Sequence, residues 1–495
     1  MGLLRFLVAP PSRITSEAAS RAYLVGQEQI PWVTRTQFQN GVLSLSRNES
    51  DSACLCIPFH VEGRGEVALT TCTLMERFAP YQLGVELARG KIYQLRMQIA
   101  DWQTLGVRPK ENHLAALQEA TMHLARAATS QQDPNLAAQH ADRALTKALD
   151  LADLLATRYV SKAIAARRRV ATALPALLGT NLGPKLLRAT VSRHVLAAFN
   201  VAAVPLVWRD IERQEGTYRW DVSDRQIAWC HEHGLPVIAG PLLQLDDRGL
   251  PDWLAIWQGD FDNILSFVSD YVETTINRNR GKVSLWQCAA RVNIGDVLGL
   301  ADEDRLRLAV RTFEIARQLD PRTPAILCFD QPWGEYMGRA ERDLSPLHFA
   351  DILVRSGLEL SGLGLELNVG YWPGGSFLRD SLEFSKLIDR WSALGLPLWL
   401  FLTVPASQET DEKAYGRTLP LGGPRPYGWN PDAQRQWLRQ VAPLLVAKPS
   451  VRGLIYNQLC DSHRHLFPNS GLFDAEDAPR PALGTLAKVR KKYLT

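Results

Sequence analysis

Gly362-Leu363-Gly364-Leu365-Glu366-Leu367-Asn368-Val369 and Leu396-Pro397-Leu398-Trp399-Leu400-Phe401-Leu402-Thr403-Val404 are short β-like apolar runs separated by a helical stretch, and this alternation decides the fold. The same kind of run recurs at Val195–Asn200, Val204–Trp208, Pro236–Leu243, Val283–Ala290, Ala325–Asp330 and Val451–Leu459. Eight runs alternating with helical segments predict an α/β fold, a (β/α)8 TIM barrel over residues 185–495, with its working face at the C-terminal ends of the strands.

Working outward, residues 1–80 read as a small antiparallel β unit. Gly41–Arg47, Ala53–Ile57 and Gly65–Thr71 carry period-two patterning broken by turn residues. Such a unit is either a sugar-binding sandwich or a packing domain whose Trp32, Phe38 and Phe59 are core. Residues 81–170 change to a period near 3.6. Leu83, Leu87, Ile92, Leu95, Ile99 and Trp102 form one stripe, Leu114, Leu117, Ala120 and Leu124 a second, and Asp133-Pro134-Asn135 opens a third helix.

Composition narrows the function classes. With 46% hydrophobic and 22% charged residues, 34 Gly and 29 Pro over 495 positions, the chain is neither collagen-like nor disordered. Lys and Arg number 56 against 52 Asp and Glu, which leaves no electrostatic footprint for nucleic acid. The run Arg167-Arg168-Arg169 reads as a helix end or linker. Seven cysteines without metal spacing read as reduced thiols. No secretory signal and no long apolar segment is visible, so a cytoplasmic location and no membrane partner are expected. His231, His233, His463 and His465 lack companion ligands, and no phosphate loop or nucleophile elbow occurs. The expectation is therefore no metal and no cofactor; oligomeric state stays open.

Several ordered segments carry a resemblance. They are Trp208-Arg209-Asp210-Ile211-Glu212 with Gly216 and Tyr218-Arg219-Trp220-Asp221; His233-Gly234-Leu235-Pro236-Val237 with Leu250-Pro251-Asp252-Trp253; Arg280-Gly281-Lys282-Val283-Ser284-Leu285-Trp286; Gly453-Leu454-Ile455 through Asp461; and Gly471-Leu472-Phe473-Asp474 with Pro479-Arg480-Pro481-Ala482-Leu483. Together they resemble the barrel of glycoside hydrolase family 10, the β-1,4-xylanases, over roughly the barrel region. The resemblance implies retaining hydrolysis by an acid/base after strand four and a nucleophile after strand seven. At those positions this chain reads Arg291 (with Ala290 where the family has Asn) and Leu402. The family's sugar-contacting positions read Val204 and Val207, Gly240 and Gln244, and Asn457. An arginine is no general acid near neutral pH, and leucine forms no glycosyl ester.

Polar residues nevertheless persist at the predicted strand ends: Arg291 and Asn293, Asp330 and Gln331, Glu366 and Asn368, and Asn457, Gln458 and Asp461. With Glu335 they outline a cavity beside which Trp333, Tyr371 and Trp372 are available to stack on a sugar. Bland readings stand beside these: Arg291 as a buried ion pair with Glu366 or Asp330, Glu335 as a helix cap, and Tyr371-Trp372 as a loop anchor. Three functions compete. The first is a carbohydrate-binding pseudoenzyme. The second is a glycosidase with relocated carboxylates, Glu366 with Glu335 or Asp330, which requires those groups to converge on an open pocket. The third is an assembly protein, which requires a filled mouth and an exposed apolar stripe on residues 84–130. Whether the chain is an enzyme is left open at this point, and a carbohydrate is the expected ligand.

Overall fold

In the computed structural model, which describes residues 2–26, 28–170, 173–295, 297–342, 344–416, 418–423 and 428–494, the N-terminal alternating runs form two small sheets. Gly2–Leu7, Arg35–Gln39, Val42–Arg47 and Tyr81–Gln82 make one; Tyr23–Val25, Pro31–Trp32, Cys54–Val61 and Gly65–Thr70 make the other. Their pairings are antiparallel apart from the edge where Phe6 and Leu7 run alongside Tyr81 and Gln82. Period-two patterning puts Leu4, Phe6, Leu43, Leu45, Leu55 and Ile57 inside.

Three helices follow: α1 (Leu83–Thr104), α2 (Glu111–Thr129) and α3 (Pro134–Arg167). Asp133 caps α3 by accepting from the N–H groups of Asn135 and Leu136, and Pro134 occupies the first turn, where its missing N–H costs nothing. Small residues at Ala137, Ala141, Ala144, Ala148 and Ala152 give α3 a buried seam against its neighbours.

The barrel strands are β1 (Leu177–Asn181), β2 (Val201–Val204), β3 (Val237–Ala239), β4 (Leu285–Ala290), β5 (Ala325–Asp330), β6 (Gly362–Asn368), β7 (Leu398–Thr403) and β8 (Val451–Tyr456). All pair in parallel, β8 against β1 and β3 against β4, so the sheet closes into an eight-stranded barrel. Among the described residues, α4 (Ala189–Ala198), α5 (Asp221–Glu232), α6 (Phe261–Asn279), α7 (Asp302–Leu319), α8 (Pro346–Arg355), α9 (Ser381–Ser392), α10 (Pro431–Ala447) and α11 (Pro481–Val489) follow the strands in turn. The fold is a (β/α)8 TIM barrel with additional small sheets. None of these helices, nor α1 to α3, is long and apolar enough to cross a membrane.

Two strands differ from expectation. Val195–Asn200 is mostly the end of α4, which buries Val191, Val195 and Ala198, and the first strand lies upstream at Leu177–Asn181, before residue 185. The second strand likewise ends at Val204, and Trp208 opens the short helical turn Trp208–Ile211. A short apolar run does not distinguish a buried strand from one face of a buried helix, and β1 is disguised by Gly179, Thr180 and Asn181. Gly179 is there for space: a Cβ would stand 2.5 Å from Val201 Cγ1 and 2.6 Å from the Val201 carbonyl oxygen.

The helical layer docks on the barrel through a buried charge. Lys91 Nζ of α1 lies 2.6 Å from Asp380 Oδ2, both side chains at most 3% exposed, and Asp380 also caps α9 by accepting from Leu382 N at 2.9 Å. Burial opposes ionisation of Asp380, but Lys91 and that N–H outweigh it and hold the carboxyl below its usual range. Breaking such a pair from one side leaves a charge stranded, so Lys91→Ala is expected to cost about 3–5 kcal/mol. Urea unfolding of the full chain checks this; a loss under about 1 kcal/mol, the range of exposed pairs, would contradict the docking role.

Candidate functional site

The C-terminal ends of β3 to β6 converge on one guanidinium. Arg291 leaves β4 with φ of 58°, a left-handed conformation uncommon for a residue with a Cβ. Its Nη1 donates to Asp246 Oδ2 at 2.6 Å, and Nη2 and Nε donate to Glu366 Oε2 at 3.0 and 3.2 Å. Nε also lies 3.6 Å from Asp330 Oδ2. Parallel register explains the meeting of the last two carboxylates, because Asp330 and Glu366 are paired across β5 and β6. All of this is closed off: Arg291 is 7%, Glu366 4% and Asp330 1% exposed.

The surrounding amides fix the carboxylates in place. Asp330 Oδ1 accepts from Asn368 Nδ2 at 3.1 Å and from Gln331 N at 2.7 Å. Asn293 brackets the Asp330 backbone, donating to its carbonyl at 2.8 Å and accepting its N–H at 3.0 Å, and also donates to the Tyr336 hydroxyl. Asp246 accepts from Gln244 Nε2 and from the N–H groups of Arg248 and Gly249.

The charge states follow from these contacts. Burial works against the Arg291 charge, but Glu366, Asp246 and Asp330 overcome it and hold the guanidinium protonated far above the working range. Burial would likewise raise Asp246, yet Arg291 and the surrounding donors keep it below the usual carboxylate range. Asp330 goes the other way: burial and the adjacent Glu366 charge push it up to about 7, with Arg291 opposing. Within this closed ionic knot, Asp330 is the carboxyl pushed toward its protonated form.

Aromatic and loop residues lie beside it. Arg291 lies 6.0 Å from the centre of the Phe467 ring, and Tyr371, fully buried, packs on Phe467 and donates its hydroxyl to the Pro468 carbonyl at 2.8 Å. Asp461 is consumed by the loop after β8: it pairs with Arg480, accepts from Gly471 N at 2.7 Å and from Gln458 Nε2 at 2.7 Å. Asn457 is half-buried and accepts from Asn181 Nδ2 at 3.4 Å. His465 pairs with Asp411 at 2.8 Å, tying this loop to the one after β7.

Glu335, Trp333 and Trp372 stand apart from the Arg291 knot. Glu335 is ion-paired with Arg379 and accepts the Phe377 N–H, and Arg379 in turn donates to the Tyr23 hydroxyl of the N-terminal unit at 3.1 Å. Burial raises the Glu335 carboxyl against the pull of Arg379. Trp333 sets its ring edge-on to Phe384, 5.2 Å away, beneath the Arg379 guanidinium. Trp372 is stacked on Phe377 at 5.1 Å with Arg339 over it at 4.4 Å. These rings are spoken for by internal packing. At the two positions where the family resemblance places carboxylates, Arg291 is the centre of the knot and Leu402 is 1% exposed in the apolar core.

Sequence reasoning overlooked Asp246, the tightest partner of Arg291. Its signal was available: a carboxylate immediately after Leu243-Gln244-Leu245, just past the C-terminal end of the third strand, is where a barrel keeps its functional residues. Among the described residues no group of three or more His, Cys, Asp or Glu side chains is arranged to hold a metal ion.

No family model matches the chain. Among curated proteins, endo-1,4-beta-xylanase B of Thermotoga neapolitana is 20% identical over 302 residues, which is 58% of this chain and 79% of that protein. Among solved structures, xylanase 10B of Thermotoga maritima aligns over 66% of this chain and 98% of its own, at 15% identity and a TM-score of 0.48. Xylanase 10B of Thermotoga petrophila, solved with xylobiose, gives 66% and 97%, 16% and 0.49. The family 10 xylanase of Thermobacillus composti gives 63% and 96%, 15% and 0.47. The resemblance read from the barrel motifs is thus to the same class of protein as that curated relative, a xylanase.

The raised Asp330 carboxyl has a measurable consequence. The native state holds a proton there that the unfolded chain releases near pH 4, so this group makes stability fall as pH rises from about 4 to about 7. Asp330→Asn removes the titration while keeping the Oδ1 acceptor. Urea unfolding across pH 4.5–8 is expected to show a flatter pH dependence for the variant than for the parent; parallel curves would contradict the assignment.

Proposed function

We propose that this chain is a xylanase-like barrel that binds a saccharide without hydrolysing it. One observation carries the non-hydrolytic half: Arg291 stands where the resemblance places the acid/base and is bound by Glu366, Asp246 and Asp330, while Leu402 stands at the nucleophile position. Retaining hydrolysis uses two carboxyl groups about 5–5.5 Å apart on either side of an exposed glycosidic bond. Here the nearest carboxylates share one buried guanidinium, and Glu335, the alternative acid, is engaged by Arg379. The saccharide half is supported by the likeness to a xylanase over 302 residues. Because Tyr371 is buried and the half-buried Trp333 and Trp372 pack on Phe384 and Phe377, this reading looks for the ligand outside the barrel centre. All seven cysteines are free, which fits a reducing compartment such as the cytoplasm.

A second reading, an assembly protein, is favoured by an exposed apolar face on α1 and α2. Tyr93, Met97, Leu114 and Met122 are each more than 40% exposed, beside a groove lined by Arg96, Leu117 and Ala125.

The test is paired. Reducing-end release from xylan and from xylohexaose is expected to match a heat-inactivated control, while affinity electrophoresis through gels containing soluble xylan, glucomannan or β-glucan is expected to retard the protein in at least one. Turnover above the control would overturn the non-hydrolytic reading. Unretarded migration in all three, with a dimer or higher assembly by light scattering, would favour the assembly reading instead.

A further inference from the structure

We propose that a short uncharged saccharide binds in the cavity at the junction of the N-terminal hairpin, the helical layer and the barrel, well away from the Arg291 knot. The cavity encloses about 420 Å³, within the size range of small-molecule sites. Four separate parts of the chain build it: the hairpin turn at Glu62–Val67, the middle of α3, the segment Leu378–Ser381 at the start of α9, and α10 from Ala433 to Val441.

Its polar wall is a preorganised chain of groups. Asp153 on α3 is central: its Oδ2 lies 2.7 Å from Arg64 Nη1, and its Oδ1 accepts from Ser381 Oγ at 3.2 Å and from Gln440 Nε2. Gln440 also donates to Ser381 Oγ at 2.8 Å, and Arg64 reaches Asp150 with Nη2 at 2.7 Å. The apolar part of the lining comes from Leu149, Val441 and Trp437, next to the polar groups on the same two helices.

This lining has a chemical preference. Carboxylate acceptors and guanidinium or amide donors alternate within one hydrogen-bond length of each other, so neither a bare cation nor a bare anion finds a uniform field. A ligand whose neighbouring groups both donate and accept, with one apolar ring face, satisfies both parts of the lining at once. Vicinal hydroxyls on a pyranose have that character. Arg64 and Asp153 are about three-quarters buried and held by each other, so little side-chain order remains to be established on binding.

The inference deepens the saccharide-binding reading and rests on it. The test is isothermal titration of the full chain with xylotriose, cellotriose and maltotriose, repeated on Thr146→Phe and Asp153→Asn. Thr146 lines the cavity and is half-exposed, so phenylalanine there fills the space without removing a hydrogen bond of the wall. Asp153→Asn keeps the shape but replaces an acceptor. An unchanged thermal midpoint in at least one variant shows that the fold is retained. Expected is binding of at least one trisaccharide by the parent and a tenfold or greater loss in both variants. Binding by the parent that survives in both variants would overturn this site while leaving the saccharide reading intact. No binding of any trisaccharide by the parent would overturn this site, while the retardation test in polysaccharide gels decides the saccharide reading by itself.

Discussion

A guanidinium shut inside a barrel is stable only if its hydration is replaced, and the replacement here comes from three strand ends at once. Arg291 holds the loop after β3 through Asp246, the end of β5 through Asp330 and the middle of the β6 terminus through Glu366. Desolvating such charges costs several kcal/mol per ion unless geometry and additional hydrogen bonds compensate. The compensation is visible in the amides of Asn368, Gln244 and Gly249 that complete the carboxylate shells. Because these partners come from consecutive strands, the knot fixes the same face of the barrel on which this fold ordinarily builds its chemistry.

The rest of the molecule is arranged around that closed centre. Phe467 and Tyr371 cover Arg291, and Asp461, Arg480 and the His465–Asp411 pair hold the covering loops down. A second buried cluster, Arg379 with Glu335 and Tyr23, locks the N-terminal unit to the barrel, and Lys91 with Asp380 does the same for the helical layer. Of the polar residues at the strand ends, Arg291, Asp330 and Glu366 tie neighbouring strands to one another, and Glu335 takes part in fastening the N-terminal unit to the barrel. The junction those layers create, along Arg64, Asp153 and Gln440, holds a cavity of about 420 Å³.

Much of this was legible in the sequence. Ala325–Asp330 matches β5 residue for residue, and Gly362–Val369 and Leu396–Val404 enclose β6 and β7, because central parallel strands are continuous apolar runs of distinctive length. The ion pair of Arg291 with Glu366 or Asp330 was also readable, since a charge at a barrel strand end requires a partner. Less accessible was β1, whose Gly, Thr and Asn hide a strand packed against Val201. Asp246 escaped because it lies beyond the expected run Pro236–Leu243, and it is the pairing of Leu243 and Gln244 with Ala289 and Ala290 that sets it beside Arg291. The partners of Trp333 and Trp372, namely Phe384, Arg379 and Arg339, are supplied by tertiary packing that no local pattern records.

The most direct measurement is a double-mutant cycle on Arg291→Met and Glu366→Gln, read by urea unfolding at pH 7.5. If the buried knot organises the barrel face, Arg291→Met alone costs about 3–5 kcal/mol and the pair shows a coupling of about 2 kcal/mol or more, the double variant being less damaged than the sum of the singles. Additive effects within about 0.5 kcal/mol would show that Arg291 and Glu366 do not depend on each other, and the account of a barrel centre closed by charge would fail.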